Sequence, residues 1–128
     1  MYLKMKNRHL AVFAAFSGAL CVGIGAFAAH GLKAVLSEKL MDVMQTGVQY
    51  QFYHTLALLL VCLLLQIQYS HWLKISGYCF AVGIVLFSGS LYLFALVGVH
   101  GLGLLTPLGG LAFILGWVVL GMHFYKAR

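Results

Sequence analysis

The chain has 128 residues, 63% of them hydrophobic and 8% charged, with a mean hydropathy of +1.00; a water-soluble domain of this size would lack the polar surface to cover such a core, so the solvent is largely lipid. One domain is the natural count at this length. The formal net charge of +6 is strung along the chain as a topology signal and forms no patch, which sets nucleic acid aside as a partner.

Lys4, Lys6 and Arg8 precede an uncharged run, and residues 10–29 supply a first membrane-spanning helix of about the required 20 residues. With Ala26-Phe27-Ala28 as a cleavage site, the same stretch could be read as a signal peptide. The uncharged run from His9 to Leu32 is long enough to cross a bilayer, so a retained helix is expected. Along it Ser17, Cys21, Gly25 and Ala29 recur every fourth position, a smooth stripe for close approach of another helix.

Residues 32–46 follow. Leu32, Val35, Leu36, Leu40, Val43 and Met44 recur at helical spacing, with Lys33, Ser37, Glu38, Asp42 and Gln45 between them. Two readings fit: a short amphipathic helix lying on the outer membrane surface, or a connecting helix packed on the bundle. A second span covers residues 48–67, with its polar groups gathered at the start.

Residues 75–125 contain no Asp, Glu, Lys or Arg. One helix of that length would run roughly 75 Å, far more than a bilayer, so the segment must fold back. The break is legible between Gly98 and Pro107, where Thr106 can cap and Pro107 can open the last helix. Spans at 77–97 and 107–124 result. Gly77 and Ala81, Gly89, and Ala112 and Gly116 offer further small-residue packing positions. Packing within the bundle and packing between copies, as a homo-oligomer, both fit these stripes.

The fold class expected is therefore an all-α integral membrane protein, a bundle of four transmembrane helices with a short amphipathic helix between the first two. The N-terminal tail, the loop around Lys74 and the tail bearing Lys126 and Arg128 carry most of the basic charge, while Lys33 and Lys39 share their loop with Glu38 and Asp42. An N-in, C-in orientation follows, with Tyr69, Trp72, Tyr78 and Tyr125 near the cytoplasmic interface. Phe16-Ser17-Gly18 before His30-Gly31-Leu32, and Phe87-Ser88-Gly89 before His100-Gly101-Leu102, hint at an internal duplication.

Polar groups inside a bilayer are costly, and each asks for a reason. The topology brings His30, Gln49, Tyr50, Gln51, Tyr53, His54, Tyr92 and Thr106 to the outer half of the bundle, with Ser88 and Ser90 somewhat deeper. Tyr50 and His54, and Gln51 and His54, can share a helix face. Such a cluster can bind a polar head group or a quinone carbonyl; equally, its members can bond one another and tie the helices together. His30, His54 and His100 show no ligand spacing and no acid or thiolate joins them, so no metal is expected. Cys21, Cys62 and Cys79 lie inside apolar runs, far apart in sequence, and read as inert buried thiols. No embedded acid, nucleophile–base pair or cofactor fingerprint is visible, so neither an enzyme nor a bound cofactor is expected.

Four stretches carry a resemblance: Gly25-Ala-Phe-Ala-Ala-His-Gly-Leu32, Thr46-Gly-Val-Gln-Tyr-Gln-Phe-Tyr-His54, Phe87-Ser-Gly-Ser-Leu-Tyr92, and Thr106-Pro-Leu-Gly-Gly-Leu-Ala-Phe113 with Gly116-Trp117. In order and content they resemble the bacterial family known as domain of unknown function 423, with the eukaryotic transmembrane protein 256 as a relative. Ala28 departs from a pattern in which glycine is expected. The resemblance implies four transmembrane helices and a bacterial inner-membrane location, and no activity. The function expected is a non-enzymatic bundle whose polar cluster binds a lipid, a quinone or another membrane protein. The alternative is a small oligomeric transporter or channel.

Overall fold

A computed structural model describes residues 5–127. Lys4 and Arg128, two of the charges used above for orientation, lie outside the described residues. Among the described residues, four helices are long and apolar enough to cross a membrane: α1 (Arg8–Leu32), α2 (Glu38–Ile67), α3 (His71–Val97) and α4, whose regular part is Leu105–Lys126. Short connections make consecutive helices antiparallel neighbours, so both ends of the chain reach one end of the bundle. There Gln66 Nε2 donates to the Lys6 carbonyl at 3.2 Å, and the Lys126 ammonium lies 4.3 Å from the Trp72 ring centroid. We call this the terminal end and the opposite one the distal end.

The amphipathic segment expected at 32–46 is not a helix of its own. Ser37 caps α2 by accepting from the Leu40 N–H at 3.3 Å, and the helix then runs unbroken to Ile67. Met44, Gly47, Gln51, His54, Thr55 and Leu58 keep one buried stripe at helical spacing through the expected break. Gly47 alone would weaken a helix by about 1 kcal/mol. Its bare face is where the Tyr92 ring rests: a Cβ there would fall 2.7 Å from Cε1. Met44 is fully buried and packs with Ala28, Leu32 and Ala95, so the first turns of α2 belong to the bundle.

Other boundaries move as well. α3 begins at His71, six residues before the expected start. α4 begins at Leu105 without a side-chain cap; the Thr106 hydroxyl, expected to cap it, instead lies 2.5 Å from the Ser90 hydroxyl. Pro107 still falls in the first turn, where a missing N–H leaves no helix bond unmade.

α2 and α3 form the middle of the bundle, α1 packing along α2 and α4 along α3. Small residues set these approaches. Gly109 lets α4 close on the backbone of Phe87, Gly83 faces Phe113, and Gly116 faces Phe80 and Cys79. Gly77 receives Leu10, Val61 and Leu58. Ala81 and Ala112 are half-buried. Ser17, Cys21 and Gly25 turn toward α2, but Ala29 is exposed and Ala28 is buried in its place. A strict four-residue repeat advances roughly 40° per step on a helix of 3.6 residues per turn, so by the third step it has left the interface. The terminal half of the interior is largely apolar, filled by Leu10, Leu58, Val61, Leu65, Leu73 and Phe80; its buried Ser76 donates to the Gly116 carbonyl at 2.8 Å, and His123 Nδ1 lies 3.1 Å from the Ser70 hydroxyl.

Of the suspected duplication, Ser17 and Ser88 both hydrogen-bond to α2. The π-helical turns do not correspond: α1 ends in one at Ala28–Leu32, whereas α3 carries one at mid-length, Ile84–Ser88.

Candidate functional site

Gln51 is the hub of the polar interior. It is 4% exposed, near the middle of α2, and touches both flanking helices. Its Nε2 donates to the Ser17 carbonyl at 3.0 Å and meets the Ser17 hydroxyl at 3.2 Å, while its Oε1 accepts from the Tyr92 hydroxyl at 2.6 Å. Ser17 and Thr55 share a further bond at 2.7 Å. Beside them Ser88 donates to the Gly47 carbonyl at 2.7 Å, and the Cys21 thiol to the Val48 carbonyl at 3.2 Å. Gln51 sits near mid-length of α2, because that helix begins at Glu38, ten residues before the expected start at 48.

α1 and α3 meet near the terminal end, where Leu10 packs on Gly77 and His9 Nε2 lies 2.5 Å from the Tyr78 hydroxyl. Farther along they diverge and leave a cleft of about 290 Å³. Phe13, Phe16, Leu20 and Ile24 of α1 form one wall; Ile84, Val85, Gly89 and Tyr92 of α3 form the other. Ser17 and Gln51 supply its floor. The π turn of α3 lies in this wall, a local widening of a kind frequent at functional sites. Gly89, expected as a packing residue, has no atom within 4 Å of where a Cβ would stand. A second groove continues over Phe16, Leu20, Gly23, Ile24 and Phe27 toward the distal end. An apolar trough with a few convergent polar groups is the usual form of a small-molecule site, and this one is at the small end of the range.

His54 belongs to a separate group between α2 and α4. Its Nδ1 lies 2.6 Å from the Tyr50 carbonyl, which can only accept, so Nδ1 carries the proton. Nε2 then accepts from Trp117 Nε1 at 3.1 Å. The ring stacks on Phe113 with centroids 3.5 Å apart and planes at 10°. With both nitrogens engaged, His54 has no free lone pair for a metal or ligand; it ties α4 to α2. Trp117→Phe should cost about 0.6 kcal/mol of stability, the usual worth of one interhelical bond in a bilayer, measured by denaturation in mild detergent. A loss of several kcal/mol would contradict so limited a role.

The remaining sequence candidates disperse. Ser90 donates to the Phe87 carbonyl at 2.9 Å and, with Thr106, links α3 to the start of α4. His30, Gln49, Tyr50 and Tyr53 are exposed, and His100 lies in a 3-10 turn, His100–Leu102. His30, His54 and His100 are thus not assembled, and no group of three His, Cys, Asp or Glu side chains converges among the described residues. Thr55 of the polar interior, and the exposed Trp117 that donates to His54, were missed. Thr55 stands one helical turn after Gln51 inside an apolar run, which is a usable signal; the pairing of Trp117 with His54 had none.

A family model described as "Protein of unknown function (DUF423)" matches residues 24–110. The chain belongs to this family. Similar proteins carry membrane names: a UPF0382 membrane protein of Haemophilus influenzae is 40% identical over 97% of this chain and 98% of its own length. The UPF0382 membrane protein YwdK of Bacillus subtilis is 42% identical over 85% and 89%, and the UPF0382 inner membrane protein YgdD of Escherichia coli is 41% identical over 91% and 88%. No solved structure matches the chain. With four apolar spans and these relatives, this family member is a multi-pass protein of the bacterial inner membrane, embedded in the lipid bilayer.

Proposed function

We propose that the protein is a non-enzymatic binding protein of the inner membrane, and that the cleft between α1 and α3 holds one apolar chain with a small polar head. The observation that carries this reading is the placement of Gln51 and Ser17 at the floor, and of Tyr92 on the wall, of a trough that opens sideways to lipid. A ligand already dissolved in the bilayer could enter without crossing water. The largely apolar packing of the terminal half, where the buried Ser76 hydroxyl is spent on the Gly116 carbonyl, speaks for a binding cleft over a conducting path. No enzymatic name occurs among the relatives compared, which accords with a binding role.

Gly89→Leu tests the reading. Gly89 has ordinary helical dihedrals and open space where its side chain would go, so leucine should fill the cleft without disturbing the bundle. Leucine should also favour the helix by up to ~1 kcal/mol. Native mass spectrometry of protein released from its own membrane should show a reproducible added mass in the wild type, absent from Gly89→Leu at equal or higher Tm. An added mass retained by the leucine variant would place binding elsewhere.

A further inference from the structure

We infer, resting on that cleft reading, that the floor selects a ligand head that donates hydrogen bonds: a hydroxyl on an apolar chain or ring, in preference to its carbonyl or ether counterpart. One backbone oxygen sets this polarity. The Ser17 carbonyl can only accept, so the Gln51 amide must turn its Nε2 toward it at 3.0 Å. Oε1 then faces α3, and the Tyr92 hydroxyl, 2.6 Å away, must donate to it. Nothing local can reverse the sequence, because flipping the amide would press two acceptors together.

The neighbouring hydrogens are spent as well. Ser88 donates to the Gly47 carbonyl. Ser17, which accepts from Gln51, can pass its own hydrogen to Thr55, a residue 2% exposed and off the cleft wall. What remains on these two residues lining the cleft is acceptor capacity: the second lone pair of Gln51 Oε1 and a lone pair on Tyr92 Oη. A carbonyl or ether head would bring another acceptor to these oxygens and gain nothing. A hydroxyl completes them, and in a bilayer it has few other partners. A quinol and a long-chain alcohol share this chemistry.

The test uses the full chain in lipid nanodiscs and two matched probe pairs, decylbenzoquinol with decylbenzoquinone and dodecanol with its methyl ether. Each hydroxyl form should bind about tenfold tighter than its partner, the worth of one good hydrogen bond. In Gln51→Met the amide acceptor is gone and the Tyr92 proton is released to donate, so the preference should fall to parity or invert. Tyr92→Phe leaves Oε1 with both lone pairs open and should keep the preference, which holds the test open even if the Gln51 variant folds poorly. Preference within only one pair would identify the ligand as ring or chain. Equal or tighter binding of both acceptor forms by the wild type, with Gly89→Leu still abolishing binding, would overturn the donor inference and leave the cleft standing. Binding that survives Gly89→Leu would overturn both.

Discussion

Replacing Gly109 with alanine is expected to lower the unfolding free energy by about 3 kcal/mol, at the upper end of ordinary overpacking. The reason is what the new methyl group would meet. At most tight glycines here the obstacle is an aromatic ring, Tyr92 at Gly47, Phe113 at Gly83, Phe80 at Gly116, and a ring can swing aside. At Gly109 it is the main chain of Phe87. Backbone inside α3 cannot yield without moving the helix, and α3 carries the Ser90 link to Thr106 as well as the cleft wall. Denaturant titration in mild detergent reads the loss, with Gly121→Ala as the control. Nothing lies within 4 Å of a Cβ at Gly121, so that variant should be unchanged or slightly more stable. Equal stability of the two variants would show that α3 and α4 do not approach as closely as described.

Gln51→Leu is the second substitution with a large expected effect, about 2 kcal/mol. An interhelical hydrogen bond in a bilayer averages roughly 0.6 kcal/mol and reaches about 1.7. Gln51 makes three, to two atoms of Ser17 and to Tyr92, so one change unties α1 and α3 from α2 together. The leucine also strands the Tyr92 hydroxyl in a half-buried position. Tyr92→Phe alone should cost only about 0.6 kcal/mol, since Oε1 merely loses one donor. The double variant should then be less damaged than the two singles added, because phenylalanine removes the stranded hydroxyl. Strict additivity would mean that the two residues do not act as one network.

No described buried side-chain oxygen or nitrogen lacks a partner. This explains why the same residues can be structural and still form a site. Each polar group is satisfied once, as burial demands, but a carbonyl or hydroxyl oxygen accepts twice. Where α1 and α3 part company, Gln51 and Tyr92 line a space of about 290 Å³, large enough for a small guest.

Much of the architecture was legible in the residues. Span length follows from the thickness of the bilayer and the rise of a helix, so the charge-free segments had to be four crossings once residues 75–125 were seen to need a turn. The break at Gly98 to Pro107, the gathering of the basic tails at one end and the family itself could be read without coordinates. So could the identity of Gln51, Ser88 and Tyr92 as groups needing a reason, since an amide or hydroxyl in hydrocarbon is conspicuous wherever it occurs. These are local properties, each set by a residue and its near neighbours in the chain.

Tertiary structure alone decided the rest, because it depends on which faces meet. Residues 32–46 and 48–67 read as separate segments; the structure joins most of them in one helix, with the Tyr92 ring of α3 resting on the bare face of Gly47. Ala29 gave way to Ala28 because an interface follows the true turn of the helix, and a four-residue repeat does not. Gly89 had the composition of a packing residue and is a cleft residue, since α1 and α3 diverge at its level. The direction of the bond between Gln51 and Tyr92 descends from the Ser17 carbonyl. Composition fixes which groups must be satisfied; only the packing of α1, α2 and α3 determines by whom, and which lone pairs are left over.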